Sequence, residues 1–357
     1  MVAHPEDPLS AIADEIRASG GWISFARYME LALHATGIGY YASGARQFGA
    51  EGDFVTAPEL GGLFARTLAR QLRALGSLPV LELGAGSGAL AAALLEEGCA
   101  SDYAILETSP ALEARQRARL GNRARWLRAM PQRLRGVILA NEVADAIPVH
   151  AVAWRDEGIY ERGVAVEGTR LAWSERPAQG ELLARAQRLS PPTPYESEIG
   201  LVACAWLRSL AAALEEGVIF VIDYGFPATE YYHPQRSAGT LMAHHRHTAH
   251  ADVFRRPGQE DLTAHVDFSA LAEAAREAGL EVLGYATQAQ FLVNCGITDV
   301  LGEANVENAL HYAPLAAEAN RLLSPAEMGE LFKVLALGRG VAQPLAGFSR
   351  GDRSHTL

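Results

Sequence analysis

PVLELGAGSGAL, residues 79 to 90, constrains this chain more than any other stretch. Pro79 and the apolar run Val80, Leu81, Leu83 predict a buried strand. Gly84, Gly86 and Gly88 predict a turn free of side chains, and ALAAALLEEG a helix closed by Gly98. Three glycines in five residues carry a backbone-entropy cost that usually marks close approach by a ligand. Such a turn lets a ligand lie against bare backbone at a helix N-terminus. Gly84-x-Gly86-x-x-Ala89 satisfies the dinucleotide fingerprint, with Ala85 between the first two glycines. Led by Glu82, the same letters satisfy the E-x-G-x-G-x-G pattern of enzymes that use S-adenosylmethionine. Both readings want an acid about 20 residues on to bind ribose hydroxyls, and Glu107, followed by Thr108, stands there. Glu82 separates them. A pyrophosphate repels a carboxylate at that strand tip, whereas a sulfonium cofactor with an ammonium group is helped by one.

The glycine turn sits in an alternation of short apolar strands and helices. YAILE (103–107) predicts the second strand, and Ser109 caps the following helix with Pro110 at its first position. GVILANEV (136–143) and GVIFVIDYG (217–225) are nearly continuous apolar runs, as expected of parallel strands buried on both faces. The fold class is therefore α/β: a doubly wound, mostly parallel Rossmann-like sheet. It is preceded by an N-terminal helical segment, with helices capped by Ser10 and Ser24, and followed by C-terminal helices. Three ranges are expected: 1–75 for the N-terminal helices and a lid loop, 76–290 for the cofactor-binding domain, and 291–357 for a C-terminal helical segment and tail. Insertions at about 149–200, with a β-meander at 149–178, and at 226–265 form a substrate-side subdomain. EVLGYATQAQFLV reads as a final antiparallel strand pair, and SPAEMGELFKVLALG as a helix with a Ser-x-x-Glu capping box.

The net charge of −11 argues against a broad nucleic-acid-binding face. It is compatible with small-molecule ligands or a basic protein substrate. Cys99, Cys204 and Cys295 are scattered and odd in number, which suits reduced thiols rather than a disulfide framework or a zinc site. No run of about 20 apolar residues predicts a membrane span. With an acidic N-terminus that lacks a signal pattern, the expectation is a cytoplasmic protein. A homodimer is left open. Six of the eleven histidines fall between His233 and His265, but HHRHTAH lacks metal-ligand spacing and framing acids, so no metal is expected. That segment reads as a polar loop with His265 among its substrate contacts.

Candidate catalytic residues come from the strand ends. ANEVADAIPVH follows the fourth strand, at the point where strand order reverses, and presents Asn141 and Glu142 to the crevice. IDYGFP ends the fifth, and offers Asp223 as a second catalytic carboxylate and Tyr224 as a substrate contact. Glu198, in PYESEIG, is a further substrate-side candidate. GDFVTAPEL, in a glycine-rich stretch ahead of the glycine turn, suits a lid over the cofactor, with Asp53, Thr56 and Pro58 facing it.

The successive motifs GDFVTAPEL, LELGAGSG, ANEVADAIPV, VIDYGF, PGQEDLTAHVDFSAL, TQAQFL and SPAEMGELFKVLA resemble those of the MidA family over about residues 20–338. These are class I S-adenosylmethionine-dependent methyltransferases. Their mitochondrial members are complex I assembly factors that symmetrically dimethylate an arginine of a core complex I subunit. The resemblance implies a cofactor site at Gly84, Gly86, Gly88 and Glu107, with the GDFVTAPE loop and Asn141 close by. Val143-Ala144 departs from the bulkier pair common in the family. Two alternatives remain: a non-catalytic assembly protein that retains the fold, and an NAD-dependent oxidoreductase.

Overall fold

The computed structural model describes residues 7–42, 56–305 and 307–357. It divides into two compact units. One comprises Val55–Ala144, Leu207–Gly225 and Leu271–Leu357; the other comprises Met1–Phe54, Asp145–Trp206 and Phe226–Ala270. These boundaries cut across the ranges expected from the sequence. Only the part of the N-terminal segment up to residue 54 groups with both insertions, and residues 55–75 and the C-terminal segment group with the main sheet.

The first unit is built on strands β1 (Val80–Leu83), β2 (Tyr103–Leu106), β3 (Arg125–Leu127), β4 (Leu134–Asn141), β5 (Leu214–Phe226), β6 (Glu281–Thr287) and β7 (Phe332–Arg339). Along the main path of the sheet their order is β6-β7-β5-β4-β1-β2-β3. From β3 to β5 every pairing is parallel, and β7 runs antiparallel to both β5 and β6. The order departs from the dinucleotide-binding order 3-2-1-4-5-6 by this inserted antiparallel strand. Both faces of the centre are buried. Val137, Leu139, Val218, Phe220, Ile222, Val334 and Ala336 form one core with Leu63, Phe64 and Leu68 of helix α1 (Leu63–Ala74). Each large side chain so buried contributes about 1.5–3 kcal/mol. This explains why the strand sequences are continuous apolar runs rather than alternating ones.

The expected helix at the C-terminal end is a correction. The helical turn is only Met328–Leu331, and Phe332–Arg339 is strand β7. A short apolar run does not distinguish a buried helix from a strand buried on both faces. Lys333, buried within it, donates from Nζ to the carbonyl of Leu331 at 3.1 Å. The expected strand pair in EVLGYATQAQFLV is also corrected. β6 ends at Thr287, whose Oγ1 accepts from the Gln290 N–H at 3.3 Å and caps a helix over Gln288–Asn294. The antiparallel partner of β6 is β7.

The second unit carries the meander expected at 149–178, as strands His150–Arg155, Gly158–Glu167 and Arg170–Pro177. Ile23–Ser24 and Tyr195–Ile199 extend that sheet on either side. Helices Pro8–Ala18 and Phe25–His34 belong to this unit. Asp7 rather than Ser10 caps the first, accepting from the Ser10 N–H at 3.2 Å, and Ser24 caps the second. The histidine-rich segment is not a loop. Met242–His245 and Thr248–His250 form a hairpin, and Asp261–Thr263 completes a three-stranded sheet.

Candidate active site

Three parallel strands of the first unit end together, and their ends build the site. At the end of β1 the chain turns through Gly84, Gly86 and Gly88, with φ of +58°, +53° and +78°. Side chains rarely adopt this left-handed region, so glycine is required and the backbone stays bare. A Cβ at Gly84 would stand 3.2 Å from a methyl of Val143, so the residue that departs from the family pattern borders the turn. Ala85 packs its methyl into the core and offers only backbone to a ligand. Helix α2 (Ala89–Glu96) begins directly after the turn.

Glu82 lies just below it on β1, buried, with its Oε2 accepting from the Tyr103 hydroxyl at 2.8 Å. Burial pushes its carboxyl up to about 7 against the opposing help of Tyr103, and the nearby Glu107 adds to the rise. Glu107 follows β2. Its Oε1 accepts from the Ser109 N–H at 2.9 Å and its Oε2 from Gln116 Nε2 at 2.8 Å. Burial raises its carboxyl too, and those two donors counter the rise. Thr108 is exposed beside it. Helix α3 (Pro110–Leu120), capped by Ser109, carries Gln116.

β4 ends at Asn141. The next residue, Glu142, has φ of +55°, a conformation that strains any side chain other than glycine and recurs at functional sites. Its N–H is held by the carbonyl of Ile222 on β5 at 2.8 Å. Its Oε1 accepts from Asn141 Nδ2 at 3.2 Å and from the Ala57 N–H at 3.3 Å. Ala57 begins the helical turn Ala57–Leu60, with Thr56 at its N-cap and Pro58 in its first turn. The GDFVTAPE motif thus returns to the strand ends from its described part. Asp53 lies outside the described residues. Glu59 of the same motif hydrogen-bonds the Ser87 hydroxyl inside the glycine turn, and Arg119 Nη1 donates to that hydroxyl at 2.9 Å.

Two candidate carboxylates are corrected. Asp223 is fully buried, and its side chain accepts from the N–H groups of Val143 at 3.1 Å, Ala144 at 2.9 Å and Tyr224 at 2.9 Å. It anchors the chain that carries Glu142. Glu198, in the other unit, is buried and accepts from the Thr240 hydroxyl at 2.9 Å and the Tyr231 hydroxyl at 3.1 Å. Burial raises its carboxyl, and those donors oppose the rise. It holds an interior network. Tyr224 is half-buried, edge-on to Phe332 at 5.4 Å between ring centroids. His265, in the same unit as Glu198, sets its ring 5.2 Å from that of Phe226, also of that unit, and its N–H donates to Thr240. Glu59, Ser87, Gln116 and Arg119 escaped the sequence reading. Glu59 and Ser87 lay inside motifs already singled out, whereas no local signal marks the other two.

Asn141 tests whether a methionine-bearing cofactor fits. Its Oδ1 is buried and has no hydrogen-bond partner among the described residues. An ammonium donor would satisfy it, and a pyrophosphate would not. With the inserted antiparallel strand, Glu82 below the turn and Glu107 after β2, fold and site define a class I S-adenosylmethionine-dependent methyltransferase. Among the described residues, no cluster of histidine, cysteine and acidic side chains could hold a metal ion.

Comparisons with known proteins agree. A family model of S-adenosyl-L-methionine-dependent methyltransferases matches residues 63–286. A crystal structure from Burkholderia thailandensis bound to S-adenosyl-homocysteine is 48% identical with a TM-score of 0.94, covering 98% of this chain and 96% of that one. The Drosophila melanogaster protein named protein arginine methyltransferase NDUFAF7 homolog, mitochondrial, is 29% identical over 95% of this chain and 89% of its own. The Homo sapiens protein named protein arginine methyltransferase NDUFAF7, mitochondrial, is 27% identical over 89% of this chain and 80% of its own. The chain belongs to the MidA family of methyltransferases, and S-adenosyl-L-methionine is its cofactor. The expectation of a cytoplasmic protein is overturned, because these relatives are named as mitochondrial. Among the described residues, no helix is long and apolar enough to cross a membrane.

Proposed function

We propose that this chain methylates an arginine side chain of a protein substrate, with Glu142 as the carboxylate that orients the acceptor. The observation that carries the reading is Glu142 itself, held in a strained left-handed conformation at the end of β4, beside Asn141 and the first turn of the GDFVTAPE segment. The relatives named as protein arginine methyltransferases support the acceptor class. The resemblance to the MidA family extends the proposal to a core subunit of respiratory complex I.

When bound, the cofactor supplies an electrophilic methyl group on a sulfonium. Around it, the glycine turn leaves backbone free for close approach, Glu107 accepts from ribose hydroxyls, and Asn141 Oδ1 accepts from the ammonium. Ala85, Thr108, Thr56 and Pro58 line it with backbone and short side chains. Glu82 braces the strand below the turn through its hydrogen bond from the Tyr103 hydroxyl. An arginine must keep a lone pair on the nitrogen that attacks. Glu142 achieves this by accepting fork-like hydrogen bonds from the other nitrogens, which localises the positive charge there. Asp223 keeps Glu142 in place through the backbone of Val143 and Ala144. Tyr224 and His265 remain candidates for substrate contact.

The test is Glu142→Gln. S-adenosylhomocysteine binding should stay within about twofold of wild type, whereas methyl transfer should fall by about a hundredfold or more. Unchanged transfer would remove Glu142 from the mechanism.

A further inference from the structure

The hydrogen bonds of Gln116 join the two halves of the cofactor site. The residue sits on α3 with no exposed surface. Its Nε2 donates to the carbonyl of Gly86 at 3.0 Å and to Glu107 Oε2 at 2.8 Å. Its Oε1 accepts from Trp126 Nε1 at 3.0 Å. Only one orientation of the amide satisfies all three contacts. Flipped, it would set its oxygen against a carbonyl and a carboxylate, and its NH₂ against an indole N–H. The three partners together decide which way the amide faces. The Trp126 ring is steadied by the Arg117 guanidinium, 4.3 Å from the ring centroid.

We propose that Gln116 is the positioning residue for ribose recognition: through one amide, held also by Trp126, it sets the Glu107 carboxylate at a fixed offset from the glycine turn. The contact also spreads the charge of Glu107. One oxygen is held by the Ser109 N–H and the other by Gln116, so the carboxylate cannot rotate and its remaining lone pairs face one way. A ribose diol needs two acceptor sites at a set angle, and a rotating carboxylate offers that geometry only part of the time. The packing agrees with this role. A Cβ on Gly88 would lie 3.4 Å from Gln116 Cγ, so the side chain also braces the last glycine of the turn.

The inference rests on the placement of the ribose at Glu107, and the test separates the two. Calorimetric titrations compare S-adenosylhomocysteine with its 2′-deoxy analogue. Wild type should prefer the ribose form by on the order of tenfold, the worth of one hydrogen bond to a charged group. Gln116→Met keeps the volume and removes all three hydrogen bonds. It should weaken S-adenosylhomocysteine binding about tenfold and reduce the preference to within about twofold. Trp126→Phe keeps a ring for Arg117 and removes one of the three contacts that hold the amide, and should reduce the preference about threefold. A purely structural role would weaken both ligands equally and leave their ratio untouched. A wild-type ratio in Gln116→Met overturns the inference, and if that variant does not fold, a wild-type ratio in Trp126→Phe overturns it instead. A wild-type ratio in Glu107→Ala overturns the ribose placement itself.

Discussion

Replacing Glu142 by glycine should abolish methyl transfer at almost no cost in stability. At φ of +55°, a residue with a Cβ carries strain of about 1–2 kcal/mol, which glycine relieves. Against this, glycine raises the entropy of the unfolded chain by about 0.5–1 kcal/mol. The hydrogen bonds from Asn141 and Ala57, at 3.2 and 3.3 Å, are among those lost; they are long and half-buried, and contribute about 0.5 kcal/mol each. These contributions cancel to within about 1 kcal/mol. Glu142→Ala loses the same hydrogen bonds and keeps the strain, so it should be the less stable variant by about 1 kcal/mol. That ordering inverts the usual preference for alanine over glycine. Urea titration of both variants measures the stabilities, and methyl-label transfer measures the activity, expected to fall at least a hundredfold in each. A loss above about 3 kcal/mol in Glu142→Gly would make Glu142 a structural anchor. Retained transfer would exclude it from catalysis.

Three further perturbations probe the surroundings. Glu82 titrates near 7 when folded and near 4.5 when unfolded, so the folded state keeps a proton that the unfolded state has released between these values. Its contribution to stability therefore falls as pH rises from about 4.5 to 7, and Glu82→Gln should be more stable than wild type by on the order of 1–3 kcal/mol at pH 8 and equal to it near pH 4.5. A pH-independent difference in urea titrations would contradict this. Glu318, buried, accepts at Oε1 from the N–H groups of Leu63 at 2.7 Å and Phe64 at 3.3 Å, and so caps α1 just after the GDFVTAPE segment. Glu318→Ala should cost about 1–2 kcal/mol in thermal unfolding and raise KM for the methyl donor more than it lowers kcat; an unchanged KM would detach that cap from the site. Gly86→Val forces a β-branched residue to φ of +53° and covers bare backbone, so S-adenosylhomocysteine binding should drop below detection by calorimetry, and a normal Kd would displace the site from the turn.

The parts of this protein that were legible in its sequence are those where local chemistry decides structure. The left-handed turn needs glycine, so Gly84, Gly86 and Gly88 announced it. The runs around Val137 and Val218 announced buried parallel strands because no side of them can face water. β7 was illegible because its apolar run carries no period, and only its place between β5 and β6 makes it a strand. The histidine hairpin was hidden by its turn. Arg246 and His247 take the two positive φ angles, 46° and 61°, that Asn-Gly would have signalled. Asp223 and Glu198 are hard to read from sequence for a common reason. A carboxylate at a strand end can face a crevice or gather backbone and hydroxyl donors, and only the fold decides between them. Gln116 gave no signal because its three partners come from three separate segments.

The central claim is tested most directly by radiolabelled methyl transfer to lysate from a strain lacking this protein, with mass spectrometry of the labelled product. The account predicts label on arginine nitrogens of a protein, transferred by the wild-type chain and not by Glu142→Gln. Label on another residue type or on a small molecule, or equal labelling by the variant, would contradict it.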